Sequence, residues 1–156
     1  MEIFVILVKE VLRNKILVIT LTVWALAQCI KVFLGVIRER RFNFRWFIGT
    51  GGMPSSHAAG ATALATTIGM ERGFDSVIFA LSAVFALVTM FDAQGVRRAT
   101  GQQAEILNRI LEDIYWRGKI ETNRLVELIG HTPIQVFIGS IIGCLMSIAF
   151  YGMWGR

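Results

Sequence analysis

Apolar positions run along this chain in four long stretches separated by polar, glycine-rich or charged connections. From Ile16 to Ile37 the only polar side chains larger than threonine are Gln28 and Lys31; Phe74 to Phe91 carries one charge, Asp75; Pro133 to Trp154 carries none. The fourth stretch, Ser55 to Met70, is weaker, because it is built from Ala, Gly and Thr. Lengths near 20 residues match a hydrocarbon core of about 30 Å, and small residues such as Ala58, Ala59, Gly60, Ala61 and Ala63 suit close helix packing inside a membrane bundle. Two further segments are amphipathic. Residues 1–14 set Ile3, Phe4, Ile6, Leu7 and Val11 against Glu2, Lys9, Glu10 and Arg13, the pattern of a helix lying in the membrane interface. From Val96 to Tyr115, Ile106, Leu107, Ile110, Leu111 and Ile114 recur at helical spacing between charged residues. A short helix from Thr122, ending at Gly130, is expected after it. The expected architecture is all-α: one membrane-embedded domain over 1–156, with about four transmembrane helices, an interfacial helix at 1–14 and an extramembrane helical insertion at 94–130.

Composition agrees with this reading. Of 156 residues, 54% are hydrophobic, and a mean hydropathy of +0.59 is too high for a soluble domain of this size. The net charge of +5 fits anionic headgroups or a phosphorylated substrate, and so apolar a chain is a poor nucleic-acid binder. Cys29 and Cys144 fall in different spans and read as packing residues; no Cys/His spacing resembles a metal site.

The chemistry concentrates in Gly49-Thr50-Gly51-Gly52-Met53-Pro54-Ser55-Ser56-His57. Glycines free the backbone, Ser55-Ser56 can cap a helix, and the unpaired amides of its first turn attract an anion such as phosphate. Such a string alone is also ordinary turn punctuation. Topology adds to it. With four alternating spans, call the face before the first span A and the face after it B. Lys31 then lies near B, His57 opens the second span at B, Asp92, Arg97 and Arg98 follow the third, and His131 opens the fourth. Both histidines, a lysine within a span and an Arg-Arg pair arrive at one end of one bundle, an arrangement suited to metal-free phosphoryl transfer. Ten Lys/Arg flank face B against five at A, so the positive-inside rule puts B in the cytoplasm of a cell's inner membrane.

These residues resemble a known superfamily. Pro54-Ser55-Ser56-His57 is similar to the Pro-Ser-Gly-His motif of the type 2 phosphatidic acid phosphatases, to which vanadium haloperoxidases and bacterial acid phosphatases also belong. Lys31 and Arg38 have the spacing of its first motif, with Glu39 where proline is usual. His131 with Gln135 resembles its nucleophile helix, whose pattern is His, three residues, Asp. Within that superfamily the chain looks most like a divergent branch of small membrane proteins, over about Asn14 to Gly152. The resemblance implies His131 as a nucleophile forming a phosphohistidine and His57 as general acid. It also implies Ser55 and Ser56 with their amides around the phosphate, Gly52 in the cradle, and Lys31 as a phosphate cation with Arg38 beside it in the motif. The third motif's arginine falls on Leu125, with Arg124 one place off, so Arg97 or Arg98 is its expected replacement. Gln135 stands where a carboxylate orients the nucleophile, and Asp92 is the candidate to supply the missing charge. The implied activity is release of phosphate from a lipid, phosphatidic acid-like or an isoprenoid phosphate or diphosphate, with no cofactor. The alternative is a protein that binds or translocates such a lipid without turnover. A homo-oligomer is compatible with all of these features.

Overall fold

The computed structural model describes residues 1–42, 52–115 and 131–154, with the backbone alone for 96–100 and 112–115. All regular structure among them is helical: α1 (Glu2–Arg13), α2 (Lys15–Glu39), α3 (Ser56–Arg72), α4 (Val77–Gln94), α5 (Val96–Tyr115) and α6 (Pro133–Trp154).

Polar side chains start the helices, at the expected places for Asn14 and Ser55 and at a new one for Ser76. The Asn14 carboxamide accepts the Leu17 N–H, the Ser55 hydroxyl accepts that of Ala58, and the Ser76 hydroxyl accepts that of Phe79. α4 therefore starts later than its apolar run, which begins at Phe74. Gly73, at φ 90, turns the chain, and Ser76 donates to its carbonyl at 2.7 Å while capping the helix ahead. Phe74 instead folds back into a T-shaped contact with Phe79, 5.1 Å between ring centres.

Three helices, α2, α4 and α6, are long and apolar enough to cross a membrane. Four were expected, and α3 falls short of that standard at 17 residues, about 25 Å of helix. Its composition explains its place instead. Ala58, Ala59, Gly60, Ala61, Ala63 and Ala65 are all buried, as are Thr66 and Thr67. Small residues on every side let α2, α4 and α6 close around α3, so the membrane helices are lipid-facing outside and alanine-lined within. Trp24 of α2 lies over Gly60, where a Cβ would stand 3.3 Å from the indole. Ile19, Val23 and Ala63 form one core cluster, Ala61, Ala65 and Ala86 another.

α3 and α6 run parallel, side by side. At one end the Ser55 N–H donates to the Gln135 carbonyl at 3.1 Å. At the other, the Tyr151 hydroxyl lies 2.9 Å from the Glu71 carboxylate and 3.2 Å from the Met70 carbonyl, its one proton shared between the two acceptors. Lys15 completes that end, 3.7 Å from Glu71 and 3.4 Å above the Tyr151 ring. A lysine stem, a tyrosine and a glutamate are the side chains expected where a bundle meets water. α1 has no buried residue and packs on the start of α2; α5 packs on the end of α4.

Candidate functional site

At the opposite end, main-chain hydrogen bonds bring three helix termini together. The His131 N–H donates to the Ala93 carbonyl in the last turn of α4 at 3.1 Å, and four residues later the Gln135 carbonyl receives Ser55 from the start of α3. The first turn of α6 is thereby pinned to both neighbours, and His131, 1% exposed, is held just ahead of it. Its ring faces that of His57 at 6.1 Å between centres, with 61° between their planes. The expected meeting of the two histidines at one end of the bundle is what the fold builds.

Gln135 fixes the state of His131. Its Oε1 lies 3.2 Å from His131 Nδ1 and accepts the Thr132 N–H at 3.0 Å, while Thr132 Oγ1 accepts the Gln135 N–H at 3.4 Å. The last two bonds are a reciprocal capping box, with Thr132 at the N-cap and Gln135 three residues on. An amide oxygen only accepts, so in the neutral ring the proton sits on Nδ1 and the lone pair on Nε2. The Thr-Pro-Ile-Gln spacing contains this capping signal, which the comparison with a carboxylate at position 135 obscured.

Lys31 of α2 packs against the loop that precedes α3. It is 7% exposed, and a Cβ on Gly52, itself at φ 85, would stand 3.3 Å from Lys31 Cγ. The lysine stem thus runs along the only described glycine of the loop. Ser56, beside His57 in sequence, is 3% exposed, and Gln28, one turn before Lys31, is also buried. Ser55 is engaged in the junction itself: its N–H goes to Gln135 and its hydroxyl caps Ala58. The Ala58 and Ala59 N–H groups are thus both taken by Ser55, through its hydroxyl and its carbonyl. Asp92 is half-buried and precedes Ala93, whose carbonyl anchors His131.

Arg38 is exposed, seven residues beyond Lys31 and therefore about 10 Å further along α2. Arg97 and Arg98 lie in the first turn of α5, with side chains outside the described residues. Gly49, Thr50, Gly51, Arg124, Leu125 and the helix expected from Thr122 also fall outside them. Cys29 and Cys144 are free thiols.

Apolar helices of membrane length closing on a small-residue helix, with an imidazole pair at one end, define an integral membrane protein with a polar site at the end of its bundle. The Divergent PAP2 family matches residues 12–146, and the chain belongs to that family. It is 41% identical over 150 residues to the uncharacterized membrane protein YuiD of Bacillus subtilis (strain 168), covering 89% of this chain and 95% of that protein. No solved structure matches.

Proposed function

We propose that this protein is a phosphatase for a phosphorylated lipid, working through a phosphohistidine on His131. The observation that carries the reading is the facing of His131 and His57 at 6.1 Å, with the His131 proton placed on Nδ1 by Gln135. Reacting atoms in a productive complex lie about 3–3.5 Å apart, so one phosphoryl group between the rings touches both. Nε2 of His131 attacks phosphorus and the bond to the lipid oxygen breaks. His57 gives its proton to that oxygen, then takes one from the water that releases phosphate from His131. Lys31 and Ser56 meet the equatorial oxygens, and an amide-capped helix start favours the negative charge. Purified protein should release phosphate from a lipid phosphate and carry an acid-labile, base-stable phosphoryl group on His131. Absence of both would refute the proposal.

The same reading places α1 on the bilayer surface, the segment 94–130 outside the lipid, and the histidine end at the cytoplasmic face of the inner membrane, following the charge count.

Gln135 supports a second reading, in which the pocket binds or moves a lipid phosphate without turnover. A neutral amide orients the imidazole but does not offset the positive charge that grows on it. In serine proteases, replacing the corresponding carboxylate by an amide costs about 10⁴ in rate. Gln135→Glu keeps the length of the side chain and both hydrogen bonds, and adds a negative charge at a helix N-terminus. The phosphatase reading predicts at least a tenfold gain in kcat for Gln135→Glu. An unchanged or lower rate, with the variant folded as judged by its melting temperature, would favour the binding protein.

A further inference from the structure

α4 and α6 diverge below the histidine site and leave a groove of about 360 Å³ between them. Leu87, Met90 and Phe91 form one wall, Pro133, Val136 and Phe137 the other. Gln94 sits with Pro133 at the histidine end and Ser140 with Leu87 at the far end, so the groove is about 10 Å long. Its upper end neighbours the site along both helices: Gln94 follows Ala93, the residue that accepts the His131 N–H, and Pro133 is two residues after His131. Two of its wall residues, Met90 and Val136, pack inward against Ala58 and Ala93. Its outer edges are open, with Phe91 72% and Phe137 66% exposed toward what would be lipid.

Resting on the phosphatase-site reading for its headgroup end, we propose that this groove seats the one hydrocarbon chain of a prenyl or alkyl phosphate, and that a two-chain glycerophospholipid is not its occupant. Length sets the first limit. A groove about 10 Å long running between two helices takes the upper stretch of one chain laid along it. Polarity sets the second. A glycerophospholipid carries two ester carbonyls immediately below the phosphate, where the groove offers a single donor side chain, Gln94, among Pro133, Phe91, Val136 and Phe137; an ester oxygen held against those apolar residues loses water without gaining a donor. A prenyl or alkyl chain is apolar from its first carbon onward. The hydroxyl at the foot does not spoil this lining, because Ser140 already donates within the protein, 2.9 Å from Met90 Sδ and 2.9 Å from the Val136 carbonyl.

The test is photo-crosslinking of the full chain in nanodiscs with a long-chain alkyl phosphonate bearing a diazirine at mid-chain. A phosphonate resists hydrolysis, so binding is read whether or not the protein turns over. We expect labelled peptides from α4 and α6 around Leu87, Phe91 and Phe137. A prenyl phosphate should compete at least tenfold better than phosphatidic acid. Filling the groove from its foot with Ser140→Phe, or from its exposed wall with Leu87→Trp, should each cut labelling at least tenfold. Labels spread over the outer faces of α1 and α2, or equal competition by the two lipids, would overturn the proposal. Phosphate release from p-nitrophenyl phosphate, which has no chain, reports the chemistry separately. Turnover without groove labelling sinks the groove alone; groove labelling without turnover upholds the groove and sinks the phosphatase.

Discussion

His131→Ala should lower phosphate release by about a thousandfold or more and remove the phosphoenzyme altogether. Deleting a covalent nucleophile usually leaves only the residual rate supplied by binding and charge stabilisation. In this protein the loss should be chemical and not architectural, because the bond that anchors position 131 is its main-chain N–H to Ala93, which alanine retains. The fold at the junction also keeps the Thr132–Gln135 capping box, made without the imidazole. His57→Asn should behave differently. A general acid matters in proportion to how poor the leaving group is, and contributes about 10²–10⁴ where it is needed. The His57 variant should therefore lose far more rate on an alkyl phosphate than on p-nitrophenyl phosphate, whose leaving group departs without help, and its phosphoenzyme should still form from the latter. The measurement is steady-state turnover on both substrates with acid-labile phosphate counted on each variant. Equal losses on the two substrates for His57→Asn would remove it from the role of acid, and full activity in His131→Ala would remove the nucleophile.

That the two histidines meet was legible in the chain because topology alone decides it: His57 and His131 each stand at the start of an apolar run entering from the same face. The local signals were legible too. Asn14 and Ser55 cap the helices they precede, and the uninterrupted Pro133–Trp154 run is one helix. What the pattern did not convey was the rank of α3. Hydropathy scores side-chain size, and alanine and glycine score low, yet these same residues let three helices approach and so put α3 at the centre. Nor was the assignment of Ser55 legible, since its amide is taken by the Gln135 carbonyl from a segment far along the chain. Local sequence says an amide at a helix start is unpaired; only packing says where it goes. Arg38 lies on nearly the same face of α2 as Lys31, about 10 Å further along and exposed.

The spacing of the imidazole pair depends on a contact that has no chemistry of its own. Gly139 and Gly143, one turn apart on α6, press against the backbone of α3. A Cβ on Gly139 would run into the carbonyl oxygen of Ser55, with Ala58 Cβ only 3.2 Å away, and one on Gly143 into the carbonyl oxygen of Ala59, with Thr62 Cβ at 3.0 Å. Those obstacles are main chain and short side chains, which have no rotamer by which to move aside. Gly139→Ala should consequently force the helices apart, at a cost of about 1–3 kcal/mol for an overpacked contact, and register as a lower melting temperature in detergent or nanodiscs. The same displacement acts on the site directly, because the Ser55 carbonyl belongs to the residue that caps α3 next to His57 and receives α6 through Gln135. A misplacement of about 1 Å costs on the order of 10² in rate, so Gly139→Ala should lose about a hundredfold in turnover while still containing every residue of the site. Gly152→Ala is the internal control: nothing lies within 4 Å of a Cβ there, and both stability and turnover should stay at the wild-type value. If Gly139→Ala matched Gly152→Ala in both measurements, the close approach of α3 and α6 would not be what holds His131 opposite His57.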